Sequence, residues 1–586
     1  MRRINSHLGA AFHGWAAPRG LTTLFLCILI VMGDAIITSA VFSKSPGLGM
    51  FMFWLEKDKK APVDYGFGPG AGIGPARPNL VLGQTPAAPK AAAPAGHLPG
   101  NVGTLGIFGP AFPWPIIPLH IALLPDGRVL SFGTDQQGQQ GAFIYDVWDP
   151  KLGYGSNSHT ILPITTSTDI FCSAASLLGS GFLQNSNGSG NLLVTGGDLT
   201  VNGVRNYSNN KVNIFTPANN TLTASGQMNY ARWYPSIITL RNGDKLVLGG
   251  RPDPSDVGNQ GEPTPEVRSA TSGWRTLPGI SLISNTLEWY YPRGFVGFDG
   301  SVILLEHSGA IFRLATDGAG TMQDTGSRMA PGAAYYPSVM FAPFKVLMVR
   351  AGQRAQVVDI SSFPPVVTDV PNLNYDRIWG NTTLLPDGEI LVTGGSGVAN
   401  ELTNVAYQAE IFNPYSGGSG TWRLVASASV PRLYHSSTLL LPDGSVLTGG
   451  GGAPGPVNEL NVEIYYPPYL FAQDGSGNAA PRPQIVSAPS TLQLNHNFSA
   501  TVGSNDQIIF VDLVRVGSNT HSFNSEQRMI PVPFSQTGTT ITATLNSIPE
   551  IVPPGYYMLF VFNSSWRARG GDNCLRSPSR SVTRQA

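Results

Sequence analysis

Leu384-Leu-Pro-Asp-Gly-Glu-Ile-Leu-Val-Thr-Gly-Gly395 sets a tight turn between two short apolar runs and ends on paired glycines. Proline fixes φ at the second turn position and glycine accepts φ > 0, so the stretch reads as a β-hairpin. The same phrase returns at Leu123–Gly133 and Leu440–Gly450, and weaker copies end at Gly197, Gly250, Gly309 and Gly352. Seven such hairpins, 43–64 residues apart, are how a β-propeller is written in sequence. Several repeats add a strand with an aromatic-Xaa-Pro ending, expected as the outer strand: Val147-Trp-Asp-Pro150, Ile214-Phe-Thr-Pro217, Ile411-Phe-Asn-Pro414 and Ile464-Tyr-Tyr-Pro467. One blade cannot bury both of its faces, so closing the ring supplies the core.

Working outward, 586 residues exceed one ordinary core. With 69 Gly, 48 Pro and only 12% charged residues, the composition suits an all-β chain with many turns. Lys plus Arg and Asp plus Glu balance at 36 each, so no basic excess exists for a phosphate backbone and nucleic acid is not expected as a partner. No P-loop or convincing dinucleotide fingerprint occurs. Three cysteines (Cys27, Cys172, Cys574) exclude a dense disulfide framework, though one Cys172–Cys574 bridge could form.

Residues 1–55 hold Arg2, Arg3 and Arg19 ahead of the apolar stretch Leu21–Gly33 and Ala35–Phe42, interrupted by Asp34. This suits a secretory signal peptide or a signal anchor, with an uncleaved membrane anchor slightly preferred; either sends the remainder out of the cytoplasm. Residues 56–105, rich in Ala, Pro and Gly, read as a linker. The propeller is expected over 106–472. From 473 to 586 the glycine-pair repeat stops, and runs such as Gln507–Arg515, Thr540–Leu545 and Tyr556–Phe562 predict a separate β-sandwich. Six Asn-Xaa-Ser/Thr sites (Asn187, Asn206, Asn219, Asn381, Asn497, Asn563) are compatible with a glycosylated surface protein.

Four segments break the structural pattern: Thr168-Asp-Ile-Phe-Cys-Ser173, Ala231-Arg-Trp-Tyr-Pro-Ser236, Arg432-Leu-Tyr-His-Ser-Ser437 and Thr520-His-Ser-Phe-Asn-Ser-Glu-Gln-Arg528. Together they offer the thiol of Cys172, the phenols of Tyr234 and Tyr434, and the imidazoles of His435 and His521. Two imidazoles and two phenols suit Cu(II) in a tetragonal geometry, and no zinc spacing competes. Singly, each has a plain packing explanation, and His7, His13, His97, His120, His159, His307 and His496 are read that way. Their conjunction, in order, on a seven-fold repeat followed by a sandwich is what points to a site.

On those motifs the chain resembles the copper radical oxidases, the galactose oxidase and glyoxal oxidase group, over roughly residues 106–562. Pro553-Pro-Gly-Tyr-Tyr-Met-Leu-Phe-Val-Phe-Asn563 looks like the family's closing strand. The resemblance implies a seven-bladed, kelch-like β-propeller followed by an immunoglobulin-like early-set sandwich, and a site holding one copper ion. It implies a thioether joining Cys172 to Tyr234, Tyr234, His435 and His521 as equatorial ligands, and Tyr434 as axial ligand and general base. The implied activity is oxidation of a small aldehyde hydrate or primary alcohol by O₂, yielding H₂O₂, with the Tyr234 radical carrying the second oxidising equivalent; the enzyme is expected to be extracytoplasmic and monomeric.

Three departures matter. Galactose oxidase has a tryptophan stacked on the cross-linked ring, but Gly249–Gly258 holds no aromatic residue; Trp289 is a candidate substitute. Hexose-binding residues are not recognisable, which favours the glyoxal oxidase side. The sequence after Asn563, with Cys574, does not follow the family pattern and receives no role. The competing reading is a non-catalytic propeller serving as a cell-surface or glycan-binding module.

Overall fold

Each Leu-Pro-Asp-Gly turn closes as its residues dictate. Leu385 N–H donates to Glu389 O at 2.9 Å and Gly388 N–H to Leu385 O at 3.0 Å, with Gly388 at φ +84. The Leu124–Arg128 and Leu441–Ser445 turns repeat these bonds. In the computed structural model the described residues are 31–32, 35–36, 79–82, 98–179, 190–202, 204–251, 261–269, 272–282, 289–332, 335–504, 506–545 and 548–563. Residues 1–64 are a unit of their own, described only where Val31–Met32 pairs antiparallel with Ala35–Ile36. The expected signal or anchor otherwise lies outside the described residues. Among the described residues no helix is long and apolar enough to cross a membrane.

The described residues of the second unit, 65–586, are nearly all β. Seven antiparallel sheets of four or more strands follow one another. Their first strands are His120–Leu123, Ala174–Leu177, Trp233–Thr239, Arg293–Val296, Ser338–Ala342, Asn381–Leu384 and Ser436–Leu440, for sheets one to seven. First strands lie against one another from sheet two to three, three to four, five to six and six to seven, and the first strand of sheet seven also lies against that of sheet one. Sheet seven is completed from far upstream: Ile107–Phe108 pairs with Tyr465 and Tyr466, and Phe112–Pro113 with Val462 and Asn461.

The glycine pairs serve the seams between sheets. A Cβ on Gly196 would stand 2.4 Å from Arg232 O, and one on Gly394 would stand 2.6 Å from Arg432 O. Gly197 N–H and Gly395 N–H donate to those same carbonyls at 2.9 and 2.7 Å. A side chain there would force the next sheet away. The arginines themselves are buried and pair with a glutamate on the third strand: Arg232–Glu266, Arg377–Glu410 and Arg432–Glu463, at 3.3, 2.8 and 3.0 Å.

The aromatic-Xaa-Pro strands are third strands rather than outer ones. In sheet two, Lys211–Thr216 is flanked by Leu192–Thr195 and by a fourth strand, Thr221–Gln227. That fourth strand is mostly solvent-facing and carries little apolar sequence, so hydrophobic pattern alone passes over it.

After residue 480 two further sheets form. One orders Thr491–Gln493, Asn79–Leu82, Tyr556–Asn563, Ile508–Arg515 and Met529–Pro531; the other orders Ile485–Ser487, Asn497–Val502, Thr540–Thr544 and Phe534–Thr537. Leu513, Ile541, Leu559 and Val561 pack in a common core of this region. Asn79–Leu82 departs from the linker expectation for 56–105, pairing parallel to Tyr556 and Tyr557. Its Leu-Val-Leu is a strand-forming run too short to stand out from the surrounding Pro and Ala.

Candidate metal centre

Five of the seven sheets deliver a large side chain or a thiol from the same place, the approach to the first strand. Cys172, Tyr234, Tyr291, Trp379 and His435 sit there with φ of +55, +67, +42, +64 and +67. Left-handed backbone at bulky residues costs about 1–3 kcal/mol each and persists only where surrounding structure enforces it. Hydrogen bonds between neighbouring positions do so here: Tyr234 N–H donates to Cys172 O, Tyr291 N–H to Tyr234 O, both at 3.0 Å, and Trp379 N–H to Tyr335 O at 2.8 Å.

The sandwich supplies the remaining piece. Ser518–Asn519 adds to the edge of the first strand of sheet one, and the loop that follows packs into the inner strands. Arg293 donates to His521 O at 3.1 Å and stands over the Phe523 ring. Ser525 Oγ donates to Ile237 O at 2.6 Å, and Leu384 N–H reaches Gln527 Oε1. Buried Glu526 accepts from Ser176 and Thr239 and pairs with Arg515 at 2.5 Å and Lys245 at 3.9 Å. The whole motif from Thr520 to Arg528 therefore acts as a plug that fixes His521, itself at φ +49.

The predicted site residues meet. Tyr234 Oη and Tyr434 Oη are 2.7 Å apart. Ligand atoms of Cys172, His435 and His521 all lie within 4.8 Å of one another, with Cys172 Sγ 3.9 Å from His521 Nε2. The His435 and His521 rings are 4.7 Å apart, and the Tyr234 ring is 5.0 Å from His521. Cys172, Tyr234, His435 and His521 are buried, and Tyr434 is partly exposed.

Electrostatics prepares these groups as neutral donors. Burial pushes His435 down to about 3. Burial, and then the nearby His435, hold His521 well below the ordinary imidazole range. His435 Nδ1–H donates to Gly452 O at 2.6 Å, which leaves Nε2 buried without a hydrogen-bond partner. His521 Nδ1 is held by Thr520 Oγ1 at 2.6 Å. Burial raises the Cys172 thiol well above its usual value against a hydrogen bond with Tyr234, and Asp198 and Asp169 raise it further. An orphaned imidazole nitrogen facing a second imidazole and two touching phenols is a donor set that fits one copper ion.

Trp289 does not cover the Tyr234 ring: its ring is 5.8 Å away and tilted by 58°. Tyr290 does, at 4.5 Å and 24°. Tyr291 stacks on His521 at 4.5 Å and 26° and donates to Ser173 O. The signal for both was present as a repeated aromatic-Tyr-Pro, in Trp233-Tyr-Pro235, Tyr290-Tyr-Pro292 and Tyr335-Tyr-Pro337. His120, read as structural, stacks on Phe132 and lies 6.0 Å from the His521 ring. Cys574 lies outside the described residues.

Several known proteins are similar to this chain. Residues 482–570 match the family described as galactose oxidase-like, early set domain. A galactose oxidase from Gibberella zeae is 29% identical over 502 residues, covering 79% of this chain and 69% of that protein. An aldehyde oxidase GLOX from Vitis pseudoreticulata is 25% identical over 460 residues, covering 70% and 82%. A solved structure described as a novel fungal alcohol oxidase with catalytic diversity among the AA5 family, in complex with copper, superposes with a TM-score of 0.67 at 23% identity, covering 79% of this chain and 97% of that one. The chain is similar to copper radical oxidases, and these matches support that family. It is an oxidoreductase, and these relatives do not favour the non-catalytic propeller reading.

Proposed function

We propose that the seven sheets close into a seven-bladed propeller over about 106–472, and that the sandwich of 473–586 caps it and contributes His521. Contact between the first strands of sheets seven and one, and completion of sheet seven by Ile107–Phe108, support the closure. The activity is oxidation of a primary alcohol or a small aldehyde hydrate by O₂, giving the oxidised product and H₂O₂. The observation that carries this reading is the convergence of Cys172, Tyr234, Tyr434, His435 and His521 on one point.

Tyr234, His435, His521 and Tyr434 would hold one copper ion, which supplies one oxidising equivalent and acidifies a hydroxyl bound to it. The chain provides the rest. Gly452 O and Thr520 Oγ1 hold the Nδ1 side of the two imidazoles, leaving His435 Nε2 without a partner and His521 Nε2 facing the Cys172 sulfur, so each Nε2 is the atom offered to the metal. Tyr434 Oη takes the substrate hydroxyl proton, a general base placed within hydrogen-bond reach of Tyr234. Tyr234, cross-linked to Cys172, takes a hydrogen atom from the carbinol carbon. Sulfur on the ring donates electron density, so the phenol loses an electron more readily. In sum two electrons and two protons leave the substrate and end on O₂. The enzyme works outside the cytoplasm, as a monomer.

Copper-loaded protein should bind one equivalent of metal, show a ring-radical absorbance after a one-electron oxidant, and release peroxide with primary alcohols or aldehydes. Protein that takes up no stoichiometric copper contradicts the reading.

A further inference from the structure

On the side of the centre where Tyr434 is partly exposed, five aromatic rings form a continuous arc. Trp289 and Tyr290 are 5.6 Å apart, Tyr290 and Tyr335 6.5 Å, Tyr335 and Trp379 4.6 Å, and Trp379 and Tyr434 4.3 Å. Trp289, Tyr290 and Tyr335 are partly exposed like Tyr434, so the arc faces solvent at one edge and buried Tyr234 at the other. The Tyr290 hydroxyl is itself buried, beside that of Tyr434. Tyr434 Oη is already engaged by Tyr234. The arc therefore offers a broad apolar face and few hydrogen-bonding groups beside the point where the ligands converge.

Resting on the oxidase reading above, we propose that this arc is the wall against which substrate lies, and that it selects primary alcohols and aldehydes carrying a flat apolar group, an arene above all, over polyols. An arene lies against the rings and gains offset-stacked or edge contacts. The reacting oxygen then projects toward Tyr434. A hexose brings several further hydroxyls that the arc leaves unpaired, each costing about tenfold in binding. The wall is assembled by the fold: the rings come from the approaches to sheets four to seven, so their spacing is set by the sheets rather than by a single loop.

The test uses the full chain, copper-loaded, in the form whose radical has been reduced and which cannot turn over. Titration of the copper(II) paramagnetic resonance signal with benzyl alcohol and with galactose gives both Kd values, and peroxide release from the oxidised form gives both kcat/KM values. Benzyl alcohol should bind at least tenfold more tightly and react with a correspondingly higher kcat/KM. Tyr335→Ala should reduce the benzyl-over-galactose preference about three- to tenfold while the ring-radical absorbance persists. Galactose bound as well as benzyl alcohol, or a preference that Tyr335→Ala leaves untouched, overturns the proposal while the oxidase reading stands. Absence of copper and radical signals overturns both.

Discussion

At the scale of single residues, the centre depends on side chains whose neighbours leave them little freedom. Cys172 is buried beside Tyr234 and cannot act as an exposed thiol would. Cys172→Ser should keep copper binding but give no cross-linked species, and its ring-radical absorbance should be lost or moved; an unchanged spectrum would count against the thioether. Tyr290 covers the Tyr234 ring where galactose oxidase has an indole. Tyr290→Leu should shorten the radical lifetime, consistent with losing an aromatic contact worth about 0.5–1.5 kcal/mol, and Tyr290→Phe should restore it. Equal lifetimes in Leu and Phe variants would show that the stack is not used. Cys172, Tyr234, Tyr434, His435 and His521 were legible through their conjunction, in order, in four segments of a seven-fold repeat followed by a sandwich. Tyr290 was not, since a second aromatic beside a tyrosine looks like packing until the backbone turns it over the ring.

At the scale of elements, hairpins were legible and outer strands were not. A Pro-Asp-Gly turn fixes its own geometry, whereas Thr221–Gln227 is a strand only because Lys211–Thr216 offers it an edge. The plug from Thr520 to Arg528 was legible as a motif, but its many bonds to the inner strands appear only in three dimensions. Glu526 is the pivot of that plug. Burial alone would raise its pKa, but Arg515 and then Lys245 pull it down to about 2. A carboxylate depressed in the folded state stabilises fully above its unfolded pKa, near 4.3, and loses that contribution as pH falls toward 2. The stability gap between wild type and Glu526→Gln should therefore shrink by up to about 3 kcal/mol across that window. A gap that stays constant in denaturant melts at pH 5 and pH 2.5 would refute the assignment. The buried Arg377–Glu410 pair makes a second test: Glu410→Ala strands a buried guanidinium and should cost about 3–5 kcal/mol in stability, read as a lowered Tm.

At the scale of the molecule, the proposed centre draws its donors from sheets two, three and seven and from the sandwich. Neither region alone holds the full set, so metal occupancy reports on docking of the two. His521→Ala, buried behind the plug, should leave the strands intact by circular dichroism yet lower copper occupancy well below one equivalent; full occupancy would exclude His521 as a ligand. The repeat made the sheets readable from the sequence, but not which of them face one another across the site, because that follows from the order in which the sheets come together.

Mass analysis of copper-treated protein, intact and after proteolysis, bears most directly on the central claim. The account predicts a loss of two hydrogens and a single species joining the Cys172 and Tyr234 peptides. Recovery of the two peptides separately, each with its unmodified mass, would contradict it.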